Sequence, residues 1–258
     1  MKEEIIHGDC LIEMQKIEEN SIDLTVTSPP YDNLRTYNGY TFDFEGIAKE
    51  LYRVTKQGGV VVWVVGDATI KGSETGTSFK QALYFKEIGF NLHDTMIYFR
   101  EGMPLTHKRY EQHFEYMFIL SKGTPKTFNG IKIPSLNAGK KRTLAYKSAS
   151  AGDSGKLGGK IGKEVTTQDD KLSGNVWKYQ IGGGSADNSA FQHPAIFPEK
   201  LAEDHILSWS NEGDTVLDPF AGSGTTLKMA KKNNRNYIGI EISQEYIDII
   251  NKRLAPQK

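Results

Sequence analysis

Apolar and polar positions along the chain alternate between strand and helix patterns. Residues 21–27 (Ser-Ile-Asp-Leu-Thr-Val-Thr) predict a short strand running into Ser28-Pro29-Pro30, where proline ends the ladder. Ile47, Leu51 and Val54 stand at helical spacing, and the pattern stops at the Gly58-Gly59 turn. Residues 60–65 are continuously apolar and mostly β-branched, as a strand covered on both faces of a parallel sheet should be. Phe79, Ala82, Leu83 and Tyr84 predict a further helix, with strands after it at 91–99 and 114–120. Pro198 stands where a helix can begin, and Leu201, His205 and Trp209 continue its stripe. A strand at 215–218, a helix after Gly224, a strand at 237–241 and a last helix through Ile250 and Leu254 complete the series. This alternation predicts an α/β fold with a doubly wound, mostly parallel sheet. Trp63 and Trp209 fall on expected core faces, and no internal repeat interrupts the pattern.

Composition narrows the class. Apolar residues make up 38% of the 258, which suits a globular chain rather than a disordered one. The longest apolar run, 60–65, has six residues, against roughly 20 for a membrane-spanning helix. No signal-peptide core follows Met1-Lys2-Glu3-Glu4. The lone cysteine, Cys10, rules out an internal disulfide and a multi-cysteine zinc site, and it fits a reducing, cytoplasmic setting. The six histidines have no metal-ligand spacing, so no metal is expected.

Charge changes the picture, because it balances only in total. The 32 basic and 32 acidic residues cancel, yet residues 121–178 hold twelve Lys/Arg and four Asp/Glu, a local net of +8. The same stretch carries nine glycines and almost no apolar periodicity. A solvated mobile loop is the ordinary reading of such composition, and a phosphate-contacting arm is the functional one. Lys140-Lys141-Arg142 is its densest basic triplet and the first candidate for nucleic-acid-backbone contacts. Trp177, where the loop rejoins the sheet, is a further candidate to approach a nucleic acid, and His107, Lys108 and Arg109 are candidates for phosphate contact.

Three motifs carry chemistry. The first is Asp218-Pro219-Phe220-Ala221-Gly222-Ser223-Gly224-Thr225-Thr226, in which a strand ends on an acid and a glycine loop opens a helix. Glycines let the backbone approach a ligand closely, and the helix N-terminus offers free N–H groups. Glu241, twenty-three residues after Asp218 at the end of the next strand, is placed to take both hydroxyls of a ribose. No Gly-Lys-Ser/Thr follows the glycines, which excludes a Walker A loop, and Leu227 occupies the third glycine of a dinucleotide fingerprint. The second motif is Asp23-Leu24-Thr25-Val26-Thr27-Ser28-Pro29-Pro30-Tyr31, with Ser28-Pro29-Pro30-Tyr31 as its chemical part. Two prolines stiffen the strand exit, Tyr31 offers a flat ring, and Ser28 with a proline carbonyl can accept bonds from an exocyclic amine. The third, Gly8-Asp9-Cys10, is either a ligand-facing acid or a helix N-cap.

In combination these motifs resemble the amino-methyltransferases of DNA, in the permuted β order with the catalytic motif first. The resemblance spans about residues 1–120 and 175–254 and includes His193-Pro194-Ala195-Ile196-Phe197-Pro198, similar to the family's methionine-cradling segment. It implies a methyltransferase-type sheet using S-adenosyl-L-methionine, with 1–120 as the catalytic part, 121–178 as a basic target-recognition insertion and 179–258 as the cofactor part. It implies that Ser28, Pro29, Pro30 and Tyr31 hold the target base. Asp9 and Cys10 would then sit at adenine, and Glu241 at ribose. Phe197 and the residues from Asp218 to Thr226 would line the methionine and sulfonium end. Double-stranded DNA is the implied substrate, with a base flipped from the duplex. A serine opening the tetrad points to cytosine N4, with adenine N6 the alternative. The resemblance leaves a restriction endonuclease partner and a homodimer open, and implies a bacterial or phage source. A nicotinamide-dependent oxidoreductase would leave the Ser-Pro-Pro-Tyr motif and the basic insertion unexplained. An inactive DNA-binding module, and an RNA or protein substrate, are the other readings.

Overall fold

A computed structural model of the chain describes residues 2–30, 42–100, 110–143, 148–149, 157–158, 164–180, 187 and 198–255. It divides into two compact units, one of Met1–Asn129 with Asn175–Lys258 and one of Gly130–Gly174. The strands of the main sheet are β1 (Glu3–His7), β2 (Ile22–Thr27), β3 (Thr55–Val65), β4 (Asn91–Phe99), β5 (Phe114–Ser121), β6 (Val176–Lys178), β7 (Thr215–Asp218) and β8 (Asn236–Glu241). Six helices accompany them among the described residues: α1 (Cys10–Met14), α2 (Phe44–Val54), α3 (Thr77–Glu87), α4 (Glu199–Trp209), α5 (Thr225–Lys232) and α6 (Gln244–Leu254).

The sheet order is β1-β8-β7-β2-β3-β5-β4-β6. Only β5 runs against its neighbours, and every other pairing is parallel. Alternation along β3 sends Val60, Val62 and Val64 to one face and Val61, Trp63 and Val65 to the other. The first set packs with Leu201 and Ile206 of α4, Leu227 of α5 and Ile250 of α6. The second packs with Met14 of α1, Ile47 and Leu51 of α2 and Phe85 of α3. Helices therefore cover both faces, which is why the middle of β3 reads as an unbroken apolar run. Trp63 and Trp209 are both buried, as their spacing predicts.

One local expectation needs correction. The Gly58-Gly59 pair does not separate a helix from a strand. α2 ends at Val54, with the Thr55 hydroxyl donating to the Leu51 carbonyl at 2.6 Å, and β3 starts at once because Thr55 already pairs with Ile22. The glycines lie inside the strand, where its register with β2 shifts and Gly58 takes φ +80°. The helix expected around Phe79 to Tyr84 is α3, in which Phe79 and Leu83 are exposed at 50% and 64%, while Ser78, Gln81, Ala82 and Phe85 face inward. Gln81 is held there because its Oε1 accepts the Trp63 indole N–H at 2.9 Å.

Gly239 in β8 is needed for close packing. A Cβ there would stand 2.3 Å from Leu227 Cδ1, which is itself fully buried. Leu227, the residue that breaks the dinucleotide fingerprint, thus finds its space in a glycine of the facing strand. Gly239→Ala is expected to cost about 1–3 kcal/mol through overpacking. A urea melt checks this, and an unchanged midpoint would mean that Leu227 has room to move.

The smaller unit is built from short antiparallel ribbons rather than an unstructured loop. Lys132–Pro134 pairs with Asp170–Leu172, Lys141–Thr143 with Glu164–Thr166, and Ser148–Ala149 with Leu157–Gly158. Residues 132–134, 141–143 and 170–172 are exposed throughout, so their sequence has no face to alternate about. Residues 122–129 and 175–178 belong to the larger unit, where Asn129 N donates to the Ser208 carbonyl at 2.8 Å.

Candidate active site

Because β1, β8, β7, β2 and β3 run in parallel, their carboxyl ends share one edge of the sheet. Asp218 closes β7, Glu241 closes β8, Ser28 follows β2, and β1 leads into Gly8 and Asp9. The described parts of all three motifs thus meet at this edge, the usual ligand side of an open α/β sheet. Tyr31 and Phe197, with the rest of 193–197, lie outside the described residues, as do His107, Lys108 and Arg109.

The loop from Pro219 to Gly224 reaches α5 through two left-handed glycines, Gly222 at φ +52° and Gly224 at φ +77°. A Cβ on Gly224 would also stand 3.0 Å from Ile250 Cγ1. Glu241 organises the loop: its Oε2 accepts from Gly222 N at 2.8 Å and its Oε1 from Ser243 N at 2.8 Å. The Ile242 N–H also bonds this carboxylate, and of its roughly four acceptor positions not all are taken by these backbone bonds. Burial raises the Glu241 pKa against the backbone N–H bonds that lower it. Asp218 is buried, its Oδ1 accepting from Thr27 Oγ1 at 2.6 Å and from Phe220 N at 3.1 Å. Desolvation dominates there and pushes its pKa up to about 6.

Thr27 lies in the second motif without an expected role of its own, yet it joins the two halves of the site. Its hydroxyl ties the residue before Ser28 to Asp218, across 191 positions of sequence. Thr226 adds a second tie, donating from Oγ1 to the Val26 carbonyl at 3.1 Å. A threonine on a strand is an ordinary residue by propensity, so only its place beside Ser28 hinted at this role. Thr225, in turn, accepts through Oγ1 from Arg253 at 3.1 Å.

Asp9 caps α1, its Oδ1 accepting from Leu11 N at 2.9 Å and Ile12 N at 3.2 Å. Cys10 is half-buried, and burial, then the neighbouring Asp9, pushes its thiol up to about 12. It stays protonated at neutral pH and offers packing rather than nucleophilicity. Trp177 is turned to the larger unit's own packing, its ring 4.8 Å from that of His205.

In the smaller unit, Lys140, Lys141 and Arg142 are exposed. They line a concavity of about 710 Å³ together with Lys171, and Asp170 is its only acidic lining residue.

A buried acid pair and a glycine-opened helix on the carboxyl edge of a parallel sheet define an α/β protein built for a nucleoside-containing ligand. The chain belongs to the DNA methylase family, whose sequence profile matches residues 22–252, and is thus a DNA methyltransferase of the kind that modifies amino nitrogens. It is 58% identical to the orphan methyltransferase M.BamHII of Bacillus amyloliquefaciens, over 98% of this chain and 92% of that one. It is 30% identical to the DNA adenine methyltransferase YhdJ of Escherichia coli K12, over 97% of this chain and 82% of that one. Among solved structures, PvuII DNA methyltransferase, described as cytosine-N4-specific, superposes with a TM-score of 0.72 at 20% identity, covering 100% of this chain and 88% of that one.

Proposed function

We propose that this chain transfers a methyl group from S-adenosyl-L-methionine to the N4 amine of a cytosine flipped out of double-stranded DNA. The observation that carries the reading is the bond between Thr27 and Asp218, which sets Ser28-Pro29-Pro30 beside the glycine loop. S-adenosyl-L-methionine supplies an electrophilic methyl group on a sulfonium. The site fits it: two buried acids, Asp218 and Glu241, both raised in pKa by burial, favour a ligand that brings positive charge. Glu241 holds the ribose. Asp218, Phe220, Gly222 and Gly224 line the methionine end, with Pro219, Ala221, Ser223, Thr225 and Thr226 shaping the loop. Asp9 and Cys10 face the adenine, and Phe197 closes on the methionine.

Ser28, the proline carbonyls and Tyr31 orient the target amine and keep it dry, so catalysis is mainly positioning, worth up to roughly 7–11 kcal/mol in favourable cases. The basic concavity of the smaller unit, with Lys140, Lys141 and Arg142, holds DNA phosphates, which positions the enzyme without reading sequence. A serine rather than a carboxylate at the head of the tetrad supports cytosine. Adenine N6 is the second reading, supported by the likeness to the adenine enzyme YhdJ.

Nucleoside mass spectrometry of unmodified DNA incubated with the protein and S-adenosyl-L-methionine tests this, beside Ser28→Ala. The expected product is N4-methylcytosine, with a rate on the order of 100-fold lower in the variant, the usual effect of mispositioning a reactant. N6-methyladenine would replace the choice of base and keep the site. No methylated nucleoside on any DNA would overturn the reading.

A further inference from the structure

The glycine loop is gripped from behind by a side chain outside every motif. Arg253, near the end of α6, has a wholly buried side chain. Its Nη1 donates to the Ser223 carbonyl, to Ser223 Oγ at 3.1 Å and to Thr225 Oγ1 at 3.1 Å. The other two nitrogens meet carboxylates, with Nε 3.0 Å from Asp187 Oδ2 and Nη2 2.7 Å from Glu199 Oε1. Lys228 of α5 closes a ring through the same two oxygens, at 2.8 Å and 2.7 Å. Two cations and two anions alternate, and burial's upward push on the Asp187 acid is outweighed by bonds from Lys228 and Arg253, which hold it at about 2.

The ring is only partly buried, with Arg253 its one wholly buried member, and ion pairs taken out of water are often no more stable than apolar replacements, so stability alone is a weak account of it. A guanidinium, however, is a rigid fork that fixes several acceptors at once, which an ammonium on a flexible stem does not. Here three of those acceptors belong to Ser223 in the loop and to Thr225, the first residue of α5. We propose that Arg253 is a positioning residue for S-adenosyl-L-methionine. It holds residues 223–225 in the shape that receives the methionine end, while Lys228, whose side chain meets only the two carboxylates among the described residues, balances their charge. This rests on the cofactor reading above and assigns to Arg253 no contact with DNA.

The test compares full-length Arg253→Lys, Arg253→Ala and Lys228→Met. Affinity for S-adenosylhomocysteine is read by calorimetry, DNA affinity by anisotropy, and thermal stability alongside. Arg253→Lys is expected to weaken S-adenosylhomocysteine binding about tenfold or more, as loss of orientation does, with DNA affinity unchanged. Lys228→Met is expected to lose thermal stability but keep that affinity. Should Arg253→Ala fail to fold, the Arg253→Lys and Lys228→Met pair decides alone. Equal losses in those two, or losses that follow melting temperature, would reduce Arg253 to a structural ion pair and overturn the proposal. A wild-type protein that binds no S-adenosylhomocysteine would sink the cofactor reading itself, a different result from the other two.

Discussion

Glu241→Ala is expected to weaken S-adenosylhomocysteine binding on the order of 100-fold or more, because hydrogen bonds to a charged acceptor contribute about 1.5–3 kcal/mol each. In the proposed pose, two ribose hydroxyls on this carboxylate would account for roughly 3–6 kcal/mol, or two to four orders of magnitude. The loop suffers as well, since Gly222 N and Ser243 N lose the oxygens they bond at 2.8 Å. Glu241→Gln keeps one acceptor oxygen and turns an NH₂ toward one of those N–H groups, so its loss falls between wild type and Ala. Calorimetry at pH 7.5 measures all three. An Ala variant binding as tightly as wild type would remove Glu241 from the ribose.

The second large effect is a pH dependence set by Asp218. Burial pushes its folded pKa up to about 6, above the ordinary aspartate value of 3.8, so the folded state holds the proton more tightly than the unfolded one. Folding stability from this group is then fully present below pH 3.8 and is lost as pH rises toward 6. A shift of about two units corresponds to roughly 3 kcal/mol. A cationic ligand reverses the preference by stabilising the carboxylate. Affinity for S-adenosylhomocysteine, whose ammonium meets this acid in the proposed pose, is expected to fall about tenfold per unit as pH drops below 6. Asp218→Asn keeps an acceptor for Thr27 and Phe220 N and abolishes the charge. It is expected to unfold at higher urea than wild type at pH 7.5, to bind the ligand weakly, and to show no step near pH 6. A step that survives in Asn would assign the titration to another group.

Much of this edge is readable from residues alone, and the exceptions have physical causes. The run at 60–65, the acid–glycine loop and Glu241 are local signals, each carried by a few adjacent side chains whose types suit one environment. Arg253 gives no such signal. A basic residue in the last turn of a helix usually complements the helix dipole in solvent, and only packing of α6 against the loop turns it inward. The Thr27–Asp218 bond and the burial of Gln81 are likewise settled by partners far along the chain. The apolar residues of α3 announce a helix but not its inner face, which includes Gln81, paired with a tryptophan. The ribbons of the smaller unit escape because strands exposed on both faces have no period of two to detect.

The pairing of β1 with β8 has a consequence for how the sheet folds. Glu3 to His7 of β1 are laid against Tyr237 to Glu241 of β8, and Lys2 N donates to Asn236 Oδ1 at 2.7 Å across 234 positions. Asp9 and Cys10 therefore reach the edge that carries Glu241 only when the first and last strands of the eight-stranded sheet have paired. Closure of so long a loop is slow and entropically costly, so the edge proposed for the cofactor is completed late in folding.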